Sequence, residues 1–125
     1  MRRKRRRSPG WVPFSEYQRT KRAASWGVEE HFTSTMKRRI MKQFGRCCFR
    51  CKAIKRLQID HNNPLYLGNA LDYGNAVVLC RSCNLSKGTK IPAQFYTSEE
   101  CTRLSALLAE QRSWKDIQQQ ANPCK

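Results

Sequence analysis

Apolar residues recur every four positions at Val28, Phe32, Met36, Ile40 and Phe44, a spacing that sets them on one stripe of a helix. Gly45 is placed to stop that helix, and Lys37, Arg38, Arg39 and Lys42 lie off the stripe on its outer surface. Beyond it the period changes. The segment Ile54 to Ile59 reads as a short strand, and the β-branched run Ala76-Val77-Val78-Leu79 as a second. Between them Asn62-Asn63-Pro64, Gly68, Asn69, Asp72 and Gly74 mark a long irregular loop, so the two strands form a long-looped hairpin. Arg81 to Lys87 can then close a short helix, ended by Gly88 and followed by Pro92. Thr97 with Glu100 three residues on signals a capped helix start, and Cys101, Leu104, Leu107 and Leu108 continue an amphipathic helix that Ser113-Trp114-Lys115-Asp116 extends or restarts.

This pattern divides the chain into a basic, extended arm over 1–27 with a short helix around Glu16 to Ala24, a central domain over 28–92 and a helical extension over 93–125. The expected class is small α+β. At 125 residues and 39% hydrophobic content, little is available for a large core, and a metal staple would compensate. No stretch approaches the roughly 20 apolar residues that span a bilayer.

Charge narrows the partner. The chain carries 25 Lys and Arg against 9 Asp and Glu, a formal net charge of +16. Arg2, Arg3, Lys4, Arg5, Arg6 and Arg7 supply six of these, so the remainder still carries +10. Such an excess suits a polyanion, and nucleic acid leads. A solvated, unstructured tail is the plain reading of residues 2–7, and one that does not prevent phosphate contact. Lys52, Lys55 and Arg56 extend the positive surface, as does Arg38. For Arg81 and Lys87, phosphate contact and simple solvation stand level.

Seven cysteines are an odd number, and no apolar leader follows Met1, so a secreted disulfide framework is not expected. The expectation is an intracellular chain with reduced thiols. Two pairs stand out, Cys48-x-x-Cys51 and Cys80-x-x-Cys83. A two-residue spacing turns both sulfurs toward one ion, and two such turns complete a tetrahedral shell for structural zinc. Cys47 offers a second register; Cys48 is preferred because its spacing matches the other pair. Cys47, Cys101 and Cys124 are left over.

Between and beside the pairs lie Asp60, His61, Asn75 and Asn84. Asp60 offers a hard anionic oxygen and Asn84 a carbonyl oxygen, donors that suit Mg²⁺ or Mn²⁺ and not the sulfur-bound zinc. An imidazole can gain and lose a proton near neutral pH, so His61 can serve as a general base. As strand neighbours Asp60 and His61 would face opposite sides, so the chain is expected to leave strand geometry there. Asn75 carries donor and acceptor atoms able to hold the loop near His61. The plain alternatives are a surface carboxylate for Asp60, a helix cap for Asn84 and a turn residue for Asn75. His31, the other histidine, reads as structural.

The stretch from Cys48 to Lys87 resembles the HNH endonucleases of the ββα-metal fold, in their four-cysteine zinc subclass. Four features carry the likeness: Cys48-x-x-Cys51, Ile59-Asp60-His61, Asn75-Ala-Val-Val-Leu-Cys80, and Cys80-x-x-Cys83-Asn84-Leu-Ser-Lys87-Gly88. Asn84 stands where the name-giving pattern has its second histidine, a variant found among catalytically competent relatives. The resemblance implies a ββα-metal core flanked by an N-terminal and a C-terminal helix. It also implies metal-dependent hydrolysis of DNA leaving a 5′ phosphate and a 3′ hydroxyl. RNA is a further candidate substrate. One site per chain implies a nick; a double-strand break would need a homodimer, for which the C-terminal helix is the expected surface. The alternative reading is a noncatalytic zinc module that binds nucleic acid.

Overall fold

The computed structural model describes residues 14–114. The arginine-rich run Arg2 to Arg7, Cys124 and the continuation past Trp114 lie outside the described residues. Helix α1 spans Phe14–Ser25 and α2 spans Ser34–Gln43; strands β1 (Leu57–His61) and β2 (Ala76–Cys80) follow. Then come α3 (Arg81–Lys87), the single turn α4 (Pro92–Phe95) and α5 (Ser98–Arg112).

Two of these elements differ from expectation in extent. The first is α1, a helix of 12 residues that exceeds the short one anticipated within an extended arm. The second is α2, which starts at Ser34 and not at Val28, because Thr33 caps it by accepting a hydrogen bond from the Met36 amide at 3.2 Å. Residues 28–33 therefore cross between helices as irregular chain. Phe32, Met36, Ile40 and Phe44 are nonetheless all buried, since the apolar stripe continues from the crossing segment into the helix.

The two strands pair antiparallel, Leu57 opposite Cys80 and His61 opposite Ala76. Strand β1 begins three residues later than the apolar run suggested, and Ile54 is left 72% exposed in the turn. All five residues of β2 are buried, so the strand is the spine of the core. The helix stripe of α2, Leu71, Tyr73, Leu104 and Leu108 complete the same apolar cluster.

The expected capping box opens α5: Thr97 Oγ1 accepts from the Glu100 amide at 3.1 Å, and Glu100 Oε1 accepts from the Thr97 amide at 2.8 Å. Further along, buried Gln111 donates from Nε2 to the carbonyls of Tyr73 (2.8 Å) and Ala76 (3.1 Å). Leu104 and Leu108 of the α5 stripe are thus buried in the chain's own core, with Cys101 and Leu107 partly buried against it. Gly74 lies beneath Arg112, where an added Cβ would come within 2.8 Å of Nε and the arginine side chain would have to shift.

Candidate functional site

The sulfur cluster is built from two local turns. Cys48 Sγ accepts from the Cys51 amide at 3.4 Å and Cys80 Sγ from the Cys83 amide at 3.5 Å, the same knuckle made twice. The first turn closes through Lys52, whose amide donates to the Cys48 carbonyl at 3.0 Å with φ +68°, and is tied to β2 by the Phe49 amide on the Val78 carbonyl at 2.9 Å. The four sulfurs of Cys48, Cys51, Cys80 and Cys83 all lie within 4.8 Å of one another, and Cys51 and Cys80 are 3.5 Å apart. Zinc–sulfur bonds of about 2.3 Å in a tetrahedron need sulfurs about 3.8 Å apart, so the quartet fits that ion. Cys47 turns away to the Phe44 carbonyl at 3.3 Å, which decides the register in favour of Cys48.

Protonation in the cluster is uneven. Burial opposes ionising Cys48, but backbone groups of Cys51, Cys80 and Arg50 outweigh it and bring the thiol down to about 7. Burial, then crowding by the other sulfurs, pushes Cys83 up to about 12. One thiolate forms readily in so tight a group and the last does not; a divalent cation, if bound, would take the place of the protons.

Asp60 and His61 stay within β1, paired to Val77 and Ala76, so the expected departure from strand geometry does not occur there. Strand alternation separates them instead. Gln58 and Asp60 face α3: Asn84 Nδ2 donates to Gln58 Oε1 at 2.6 Å, and Asp60 Oδ2 lies 2.9 Å from Lys87 Nζ. Ile59 and His61 face the crossing segment between α1 and α2. A cavity of about 260 Å³ reaches round the strand end and is lined by Glu30, Asp60, His61 and Asn84 together, with Arg19 and Arg22 at its wall. The pleat sends the two neighbours apart, and the cavity rejoins them.

Past His61 the chain does leave the strand, held by Asn75. The side-chain Oδ1 of Asn75 accepts from the Asn63 amide at 2.7 Å, while Nδ2 donates to the carbonyls of Asn63 (3.1 Å) and Ala70 (2.9 Å). Its own carbonyl accepts from the Asn62 amide at 2.8 Å. Both ends of the loop that follows His61 are thereby fixed to one buried amide.

Lys87, grouped by sequence with the surface cations, is 1% exposed. Its ammonium pairs with Asp60 and donates to the His61 carbonyl at 2.9 Å. A buried ammonium needs such partners, and having them it is a strut beneath the strand end and not a surface contact. Arg38, Lys52, Lys55, Arg56 and Arg81 are exposed as expected, but none lines this cavity; Lys52 borders a separate groove with Phe44 and Phe49.

One residue of the site went unnoticed in the sequence. Glu30 is 2% exposed, and its Oε2 sits 2.9 Å from His61 Nε2 while accepting from the Leu71 amide at 2.7 Å. With Glu30 as a carboxylate, Nε2 must be the donor, which leaves the lone pair on Nδ1. No local signal separates Glu30 from its exposed neighbour Glu29. The scarcity of acids in so basic a chain is the one hint.

Residues 45–90 match the family model of the HNH endonuclease. The segment is an HNH domain. Its strand pair and following helix, β1, β2 and α3, are the ββα arrangement, and the HNH domain contains all four clustered cysteines. Glu30, Arg19 and Arg22 come from outside it. HNH domains act on nucleic acids, in keeping with the net charge. No curated protein matches the chain. Among the described residues no helix is long and apolar enough to cross a membrane.

Proposed function

We propose that the protein is a metal-dependent endonuclease that hydrolyses DNA phosphodiester bonds, with His61 as general base and Asp60 and Asn84 as ligands of one Mg²⁺ or Mn²⁺. The observation that carries this reading is the shared cavity of Glu30, Asp60, His61 and Asn84. The donors suit the ion: Asp60 keeps Oδ1 clear of the Lys87 contact, and Asn84, with its amide nitrogen on Gln58, keeps its carbonyl oxygen. When bound, such an ion supplies Lewis-acid polarisation of the phosphoryl group and stabilises the leaving oxygen.

The remaining chemistry belongs to the chain. Glu30 holds the ring of His61 through Nε2, so that Nδ1 can take the proton of the attacking water. Asn75 clamps the loop that follows, and Lys87 anchors Asp60 and the His61 carbonyl from below. Arg19 and Arg22 border the cavity where the scissile phosphate would lie. The zinc knuckle fixes the backbone at Cys83, from which Asn84 projects, and takes no part in the reaction.

The test is nicking of supercoiled plasmid with Mg²⁺ or Mn²⁺. His61→Ala should retain zinc and bind DNA while nicking falls at least a hundredfold; unchanged nicking would refute the assignment. A noncatalytic zinc module remains the second reading, favoured by the Asp60–Lys87 pair, which ties up one carboxylate oxygen without any cation. Binding with no strand scission under several metals would select it.

A further inference from the structure

A second, wider cavity of about 410 Å³ opens on the same strand end, and it too is bordered by Asp60, His61 and Arg22. Its outer rim is aromatic. Trp26, just past the end of α1, is 54% exposed, and Tyr66, in the turn Leu65–Leu67, is 45% exposed. Their ring centroids are 6.5 Å apart at 62°, edge to face, so they brace each other while part of each ring stays open to solvent.

Two large rings held at the mouth of a candidate phosphate site are an unusual use of surface. Neither is needed in the apolar cluster that forms the core. A base in a duplex has its faces covered by its neighbours in the stack, whereas an unpaired base exposes both, and any base has a π face to stack on an aromatic ring. The charge of the chain fits a nucleic-acid strand, and Arg22 on the cavity wall fits its backbone. The cavity is of the size of small-ligand sites.

We propose that Trp26 and Tyr66 form a stacking platform for one unpaired nucleobase of the DNA, adjacent to the phosphate held at Asp60 and His61. The inference rests on the nuclease reading for where that phosphate lies, and it names the substrate class: DNA with an unpaired base at the cut.

The experiment measures binding of the zinc-loaded full chain without added Mg²⁺ or Mn²⁺, so that strands stay intact. Three labelled DNAs of one sequence are compared: a perfect duplex, the duplex with one bulged base, and the duplex with an abasic bulge. The bulged base should bind about tenfold tighter than the abasic bulge, in line with the worth of one base–aromatic stack. Trp26→Ala and Tyr66→Ala should each remove most of that preference and leave duplex binding within about twofold, while Trp26→Phe keeps it. Equal affinity for the two bulges, or a preference that survives both alanine variants, would overturn the proposal. The nuclease reading fails on a different result, the absence of metal-dependent nicking, to which this binding comparison is blind.

Discussion

Glu30 and His61 are 31 residues apart in sequence and 2.9 Å apart in space, with the carboxylate 1% exposed and the imidazole 12% exposed. A buried carboxylate is costly unless it is satisfied, and Glu30 is satisfied on one oxygen by both the imidazole and the Leu71 amide. Its other oxygen, Oε1, has no hydrogen-bond partner among the described residues. So expensive a group is kept where it fixes one ring orientation.

Replacing Glu30 with Gln keeps the shape but lets the side chain offer a donor as well as an acceptor. The ring of His61 then loses its single preferred tautomer. Glu30→Gln is expected to lower kcat for nicking about 100- to 10,000-fold with little change in KM, because an amide lets a general-base histidine take the wrong tautomer. Steady-state kinetics of nicking on supercoiled plasmid checks this, and Glu30→Asp should recover part of the loss. A matching rise in KM would point to a purely structural role.

Asp60 and Lys87 couple stability to the site. Asp60→Ala leaves the ammonium of Lys87 buried with only the His61 carbonyl, at a cost of about 3–5 kcal/mol. The double variant with Lys87→Met should regain most of that stability while staying inactive. Urea unfolding of the single and double variants measures it; equal stability of the two would show that the pair is not coupled.

Asn75 makes three side-chain hydrogen bonds to backbone from a buried position. At about 1 kcal/mol each, Asn75→Ala should cost about 2–4 kcal/mol. Asn75→Asp should be no better, because an oxygen would replace the donor that faces the Asn63 and Ala70 carbonyls. Thermal unfolding ranks the two variants, and a fully stable Asn75→Asp would discount the clamp.

Zinc should be inseparable from folding. A structural zinc site in a small module is worth roughly 10–16 kcal/mol of apparent binding free energy, and here it joins the turn before β1 to the end of β2. A strong chelator, or Cys51→Ser, is expected to abolish the cooperative unfolding transition seen by circular dichroism. Cys47→Ser should leave metal content at one zinc per chain, since that sulfur lies on the Phe44 carbonyl.

Much of the site could be read from residue order. Cys48, Cys51, Cys80 and Cys83 announce themselves because a knuckle is a local turn whose ligand spacing is set by backbone geometry. Asp60, His61, Asn75 and Asn84 stand out because their donor chemistry, and their order between and beside the cysteine pairs, resemble the HNH pattern. The start of α2 is not legible in the sequence, because a stripe every four residues looks the same whether its first members lie in helix or in chain leading to it. The burial of Lys87 is hidden for a related reason: a lysine on a short polar helix gives no sign of which way it faces.

Sequence alone determined the two cysteine knuckles and the two strands, since each depends on spacing within one turn or one strand. Tertiary structure decided that Glu30 meets His61, that Lys87 lies beneath Asp60 and that Trp26 stands beside Tyr66. Those pairs are brought together by the burial of β2 beneath α2 and α5 and by the path of the chain between α1 and α2. Burial rewards apolar area wherever it comes from along the chain, so the polar neighbours that it brings together leave no trace in local spacing.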